Sequence, residues 1–235
     1  MGMDLTIVTC NYDTPDLITN LMVSLANTCD DIPYMLVIST GKYPLLNPMK
    51  PLWHNHNIPH TSHGDAVNEA FSLVKTRYML LVDSDVLFLK DFYEPYEKFK
   101  EGRFALMGEV VGDRGGKLIY PRVNPWFCFI DLEQLKEHNI KFYDHYRTKE
   151  IKSEKIYDIG STMFEDVINA GLTIGNANME NKYFKHYEGM SWRVQKYNPN
   201  DVDTDIDIGG THNNKALYDY GLKVREQYER DVVKL

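Results

Sequence analysis

Along the first ninety residues, apolar runs of strand length alternate with stretches whose apolar residues fall at helical spacing. Leu5-Thr6-Ile7-Val8-Thr9 is a β-branched run that predicts a buried strand. A polar loop from Cys10 to Thr14 follows. Thr14 stands where a cap would, Pro15 suits a first helical turn, and Leu17, Ile18, Leu21, Met22 and Leu25 make one apolar face. Tyr34 to Ile38 predicts a second strand, ending at Ser39-Thr40-Gly41. Prolines at 44, 48, 51 and 59 leave room only for a short extended piece within Leu52 to Ile58. After Gly64, residues Val67, Ala70, Phe71 and Val74 share a helix face, and that helix delivers the chain into Tyr78-Met79-Leu80-Leu81-Val82. This last run has no alternation, so it reads as a strand buried on both faces.

The second half repeats the theme less regularly. Asp91 can cap a short helix, and Phe104 to Gly108 predicts a strand. Gly112 to Pro125 is rich in Gly, Arg and Pro, a loop or irregular hairpin before the apolar run Trp126 to Ile130. Asp131 with Gln134 predicts the start of a helix over Leu132 to His138, stopped at Asn139. Gly160-Ser161-Thr162 introduces a helix from Met163 to Ala170 stopped by Gly171, and a charged amphipathic helix runs from Lys215 to Val233. Strands alternating with helices predict an α/β fold: a three-layer α/β/α sandwich around a mostly parallel central sheet. There is no internal repeat and no Gly/Ser tether, so 1–235 reads as one domain.

Composition narrows this further. The 235 residues are 43% hydrophobic, enough for a substantial core. Cys10, Cys29 and Cys128 are an odd count without a Cys-x-x-Cys pair, which argues against a disulfide framework or a zinc site and suits a reducing compartment. The net charge is −8 and Lys/Arg clusters are absent, so nucleic-acid binding is not expected. No run of about 18 apolar residues occurs, so no transmembrane segment is expected and the reading is of a soluble, cytoplasmic protein. Sixteen tyrosines, several in polar segments, suit stacking on sugars or bases.

The chemistry is concentrated where Val82 gives way to Asp83-Ser84-Asp85. Carboxylates beside so apolar a strand lose hydration, and a cation or an array of donors must replace the water. In extended backbone the two carboxylates would leave on one side and share one divalent ion. Ligands of open α/β sheets also bind at strand C-termini. By contrast, the acidic run Asp201 to Asp207 lacks an EF-hand's Gly and closing Glu, which are replaced by Ile208 and Asn214, and reads as a solvated loop.

Together these pieces resemble family-2-type glycosyltransferases of the GT-A fold. Thr9-Cys10-Asn11-Tyr12-Asp13-Thr14-Pro15 is similar to their opening strand and loop, Gly64 to Ala70 to their Gly-containing helix, and Asp83-Ser84-Asp85 to their Asp-x-Asp motif. Phe164-Glu165-Asp166-Val167 resembles the Glu-Asp helix start of inverting members. His186-x-x-Gly189 with Trp192-Arg193 resembles their His-x-x-Gly segment. Ser39 stands where the family usually has an Asp near the nucleoside.

The resemblance implies a nucleotide-sugar half over about 1–108 and an acceptor half over about 109–235. The implied reaction is metal-dependent transfer of a sugar, with inversion, from a nucleotide-diphosphate sugar (UDP favoured) to a hydroxyl of a carbohydrate or glycoconjugate. It implies Asp83, Asp85 and His186 as ligands of Mn²⁺ or Mg²⁺, with His212 the rival third ligand. Thr9, Asn11, Tyr12, Asp65, Asp83, Ser84 and Arg193 would contact the donor, and Tyr120, Arg122 and Trp126 the acceptor. Asp166 would be the general base, with Glu165 the alternative. The competing readings are a retaining GT-A enzyme, a haloacid-dehalogenase-type phosphatase, a nucleotidyltransferase and a non-catalytic carbohydrate-binding domain. The phosphatase motif normally lies on a first strand, whereas about eighty residues precede Asp83 here. A nucleotidyltransferase should show a Gly/Lys-rich phosphate loop where Asn11-Tyr12-Asp13 stands.

Overall fold

The computed structural model describes residues 4–41, 53–58, 62–113, 119–142, 157–188, 190 and 215–235. In chain order the elements are β1 (Leu5–Asn11), α1 (Pro15–Thr28), β2 (Tyr34–Ser39), β3 (Trp53–Asn57), α2 (His63–Leu73), β4 (Tyr78–Val82), β5 (Val86–Phe88) and α3 (Tyr93–Glu101). They continue with β6 (Leu106–Gly108), β7 (Val110–Val111), β8 (Arg122–Val123), β9 (Phe127–Asp131), α4 (Leu132–Glu137), α5 (Ile159–Asn169), β10 (Ile174–Asn176), β11 (Phe184–His186) and α6 (Lys215–Val232).

Seven strands form the central sheet in the order β10-β6-β9-β4-β1-β2-β3. All neighbours pair in parallel except β9, which runs antiparallel to both β4 and β6. Both faces are covered, and the side-chain alternation of each strand divides between them. Leu80 and Val82 of β4, Ile7 of β1 and Phe127 and Phe129 of β9 join Ile18, Leu21 and Leu25 of α1 and Tyr96 and Phe99 of α3. Met79, Leu81, Val8, Cys128 and Ile130 point the other way, into Ala66, Val67 and Ala70 of α2 and Met163 and Val167 of α5. This is the expected three-layer sandwich. The three cysteines are free, in β1, just after α1 and in β9, with Cys29 and Cys128 buried. Among the described residues no helix is long and apolar enough to cross a membrane.

Three local expectations are corrected. Thr14 occupies the cap position of α1, but its side chain does not cap; its hydroxyl and its N–H both donate to Asn11 Oδ1 at 3.0 Å, which tethers the loop to β1. The strand expected from Phe104 starts at Leu106. On either side of the Gly112 stretch, the two-residue strands β7 and β8 pair antiparallel, in keeping with the irregular hairpin expected there. Finally, the helix expected from Met163 begins at Ile159, one turn earlier, capped by Asp158, whose carboxylate accepts from Ser161 N–H at 2.9 Å. Gly160-Ser161-Thr162 looked like a helix approach because these residues are weak helix formers. Burial overrides that preference: a Cβ at Gly160 would lie 2.1 Å from the Val123 carbonyl oxygen, so glycine allows α5 to close on β8. At the other end Gly171 takes φ 73°, the left-handed stop read from the sequence.

Candidate functional site

The parallel strands β1, β2, β3 and β4 all end at one edge of the sheet. Helices α2 and α5 lead into strands of that direction, so their N-termini also meet this edge, and β9, running the other way, begins there. Polar groups accumulate on it. Asn11 ends β1, Ser39 ends β2 and Asp83 follows β4, the arrangement expected of a ligand edge in an open α/β sheet.

Asp83-Ser84-Asp85 is not extended as expected. The strand stops at Val82, and a turn closed by Val86 N–H on the Asp83 carbonyl at 3.3 Å reverses into β5. Asp and Ser favour that geometry. Convergence of the carboxylates therefore comes from the turn and from β11, which pairs antiparallel with β5 and sets His186 opposite Val86. His186 Nε2 lies 3.3 Å from Asp85 Oδ1 and 3.8 Å from Asp83 Oδ2. One ligand atom from each of the three residues falls within 4.8 Å of the others. The side chains of His186 and Asp85 are 6% and 4% exposed, while Asp83, at 30%, forms the open side. Asp85 is oriented from behind: Oδ2 accepts from Met190 N–H at 3.1 Å, and its carbonyl accepts from Tyr187 N–H at 2.9 Å.

Electrostatics tie the cluster together. Burial and the Asp85 charge beside it push the Asp83 carboxyl upward, against His186, His63 and Arg122. Burial disfavours a charged His186, but the hydrogen bond to Asp85 and the two carboxylate charges outweigh it and raise the imidazole pKa. Two carboxylates and an imidazole are a suitable donor set for a divalent ion of borderline character. His63, in the first turn of α2, was not singled out in the sequence. Nothing in its local pattern marks it; only the return of α2 to the edge brings it within electrostatic range of Asp83.

Around this centre the other expected residues are distributed unequally. Ser84 is buried. Asn11 and Ser39 are buried together: the Asn11 amide donates to Ser39 Oγ at 3.4 Å, and that hydroxyl donates to Asn55 at 2.6 Å. Thr9 is wholly buried in β1, and Tyr12 in the following loop is 55% exposed. Asp65 is exposed in the first turn of α2, where its carboxylate accepts from the Ser62 hydroxyl at 3.0 Å. Trp126 stacks on the His186 ring, with centroids 4.7 Å apart and planes at 21°, and its carbonyl accepts from Asp83 N–H at 3.1 Å. Arg122 is buried behind Trp126, its guanidinium 5.9 Å from that ring, and pairs with Asp158 at 2.5 Å. Tyr120 is half-buried on the same loop.

Asp166 and Glu165 are half-buried but do not stand at a helix start. Asp166 comes seven residues after Ile159, about 10 Å along the axis from the edge that carries the triad. The carboxylate at the start of α5 is Asp158. Its signal in the sequence was the Asp-x-x-Ser161 cap, hidden by the glycine that follows. Arg193 and His212 lie outside the described residues. A cavity of about 550 Å³ adjoins the triad, walled by Trp126, His186, Glu109, Glu180 and the α6 residues Lys223 and Gln227.

A mostly parallel seven-stranded sheet covered by helices, with an Asp-x-Asp turn at its C-terminal edge, has the architecture of the GT-A glycosyltransferases. Among solved structures, Staphylococcus aureus TarS 1-349 in complex with UDP-GlcNAc matches with a TM-score of 0.52 at 16% identity, over 78% of this chain and 58% of that one. The mannosyltransferase PcManGT from Pyrobaculum calidifontis, in complex with GDP-Man and Mn²⁺, matches with a TM-score of 0.54 at 11% identity, over 82% of this chain and 60% of that one. The galactosyltransferase LgtC, in complex with donor and acceptor sugar analogues, gives 0.53 at 13% identity, over 94% of this chain and 95% of that one. The chain thus spans about three-fifths of the TarS and PcManGT chains and nearly all of LgtC. At these identities the likeness is one of fold. No protein-family model and no curated relative matches the sequence.

Proposed function

We propose that this protein is a metal-dependent glycosyltransferase that moves a sugar from a nucleotide-diphosphate sugar, a UDP-sugar first, to a hydroxyl acceptor with inversion. The observation that carries this reading is the convergence of Asp83, Asp85 and His186 at the C-terminal edge of a GT-A sheet. In this reading residues 1–108 hold the donor and 109–235 the acceptor. The imidazole and the two carboxylates fit a divalent ion, and the histidine favours Mn²⁺ over Mg²⁺, which prefers oxygen alone. When bound, that ion supplies Lewis acidity against the charge that develops on the departing diphosphate.

The chain's own groups do the rest. Asp83, on the open side of the cluster, meets the donor; Asp85 and His186, locked by Met190, Tyr187 and Trp126, hold the geometry. Asn11, Ser39 and Tyr12 line the same edge on the nucleotide side. The acceptor oxygen forms a bond to the anomeric carbon as the bond to the diphosphate oxygen breaks, and the hydroxyl proton passes to a carboxylate. Asp158, at the cap of α5 and paired with Arg122, takes that role in this reading ahead of Asp166.

The test is calorimetry of UDP and GDP with Mn²⁺ and with EDTA. Binding is expected only with the metal, and Asp85→Ala should abolish it, with circular dichroism checking the fold because the change deprives Met190 N–H and His186 of their carboxylate. Equal affinity in EDTA and in Mn²⁺ would overturn the reading. His186→Ala should weaken Mn²⁺ binding by at least ~10- to 100-fold, with His212→Ala neutral, on the scale of supporting metal-site groups. The anomeric configuration of the product, read by NMR, decides inversion.

A further inference from the structure

The strand that delivers His186 is a precarious support. β11 has three residues and pairs along its length with β5; on its other edge a single bridge joins Phe184 to Glu180, the Phe184 carbonyl accepting from Asn181 N–H at 2.7 Å. Its alternation sorts its side chains onto two faces. On one face Phe184 stacks on Phe127, centroids 4.2 Å apart, and His186 stacks on Trp126. On the other face Lys185 and the next residue, Tyr187, both reach the same carboxylate. Asp231 Oδ2, in the last turn of α6, accepts from Lys185 Nζ at 2.7 Å and from the Tyr187 hydroxyl at 2.8 Å. The same oxygen accepts from Gln227 at 2.9 Å, and Oδ1 accepts from Lys234 at 2.9 Å. Burial would raise this carboxyl, but the bonds from Lys185, Gln227, Lys234 and Tyr187 outweigh it and hold it well below the usual carboxylate range. The grip is seated on apolar packing, with the Tyr187 ring edge-on to Tyr228 at 4.9 Å, in a cluster with Leu17 of α1 and Leu87 of β5.

We propose that Asp231 is a positioning residue for the His186 imidazole, acting through Lys185 and Tyr187, so that the C-terminal helix is a working part of the metal-binding site. The proposal rests on the metal reading of Asp83, Asp85 and His186 given above. A carboxylate that holds residues i−1 and i+1 from one side fixes the rotation of the strand about its own axis, and rotation is the motion that would swing residue i away from Asp85. Trp126 blocks that swing from the opposite face only while the strand stays seated. Charge-assisted bonds suit the task because they are short and directional.

The experiment uses the full chain and has a metal arm and a metal-free arm. In the first, Mn²⁺ binding is measured by calorimetry well below the melting temperature. Asp231→Ala is expected to weaken it about 10- to 100-fold, the scale of groups that orient metal ligands, and Tyr187→Phe, which removes one hydroxyl, by a few-fold. Lys234→Ala, which touches Asp231 but neither neighbour of His186, should leave it unchanged. In a His186→Ala background Asp231→Ala should have almost no further effect, because the two act through one group. Full additivity would overturn the proposal. In the second arm, amide exchange of the metal-free protein should show the Tyr187 N–H, bonded to the Asp85 carbonyl, at least ~10-fold less protected in Asp231→Ala, with β1 amides unchanged. If the wild type takes up no Mn²⁺, the metal reading fails and the exchange arm alone decides the clamp. Unaltered protection at Tyr187 overturns it.

Discussion

His186 is far along the chain from Asp83 and Asp85, yet the three form one cluster because a turn and a two-stranded ribbon bring them together. Their neighbours define what each can do. Asp85 has both its carboxylate and its carbonyl engaged by the backbone of Met190 and Tyr187, so it is fixed; Asp83 is the more exposed of the two and, in the proposed reaction, the one that would meet the donor. The proposed general base can be tested on the same footing. Asp158→Asn keeps an excellent helix cap while losing proton affinity, and it should cut turnover at saturating donor by ~10² or more with donor affinity nearly unchanged. Asp166→Asn and Glu165→Gln, farther along α5, should lose much less. Kinetics on the three variants decide the order: if Asp166→Asn alone is inactive, Asp166 is the base and Asp158 is only a cap and a partner for Arg122.

At the scale of elements, capping and close approach set what periodicity leaves open. Asp131 is a good example, since it ends β9, caps α4 through Glu133 and Gln134 N–H, and receives Arg77 at 2.8 Å. Burial works to raise its carboxyl, but the Arg77 and Gln134 bonds outweigh it, so its pKa lies below the ordinary value. With a depressed folded pKa, the stabilisation is complete above the unfolded pKa, roughly 3.9, and is lost as pH falls through the folded value. Asp131→Asn should therefore cost about 1 to 2 kcal/mol at pH 7, modest because Arg77 is partly in water. Urea unfolding should show the gap closing as pH is lowered from about 5 toward 3. A gap independent of pH would mean that the charge contributes nothing. This cap was legible in the sequence, as was the Gly171 stop; the start of α5 was not, because Gly160 is selected by the Val123 carbonyl rather than by the helix itself.

For the whole molecule, donor binding should register as global stability, because a ligand that binds only the folded state raises it by the logarithm of its occupancy. Thermal unfolding in Mn²⁺ with a panel of nucleotide-diphosphate sugars should give an upward shift for the true donor that grows with concentration and vanishes with EDTA. No shift for any member would remove the donor reading. The layers themselves were readable from the chain. Uninterrupted apolar runs such as Tyr78 to Val82 can only be buried on both faces, and helical stripes beside them supply the covers, so the α/β/α sandwich follows from local hydrophobic burial. Asp83 and Asp85 were legible for the same reason, as charges placed against that strand. What the tertiary structure decided is everything that depends on distance across the chain: the antiparallel insertion of β9, the turn rather than an extended Asp-x-Asp, His63 within electrostatic range of Asp83, Asp158 rather than Asp166 at the head of α5, and the bonds of Asp231 to Lys185 and Tyr187. Hydrophobic period is a property of neighbours in sequence. The partners of a polar group are chosen by which elements pack together, and no local pattern carries that information.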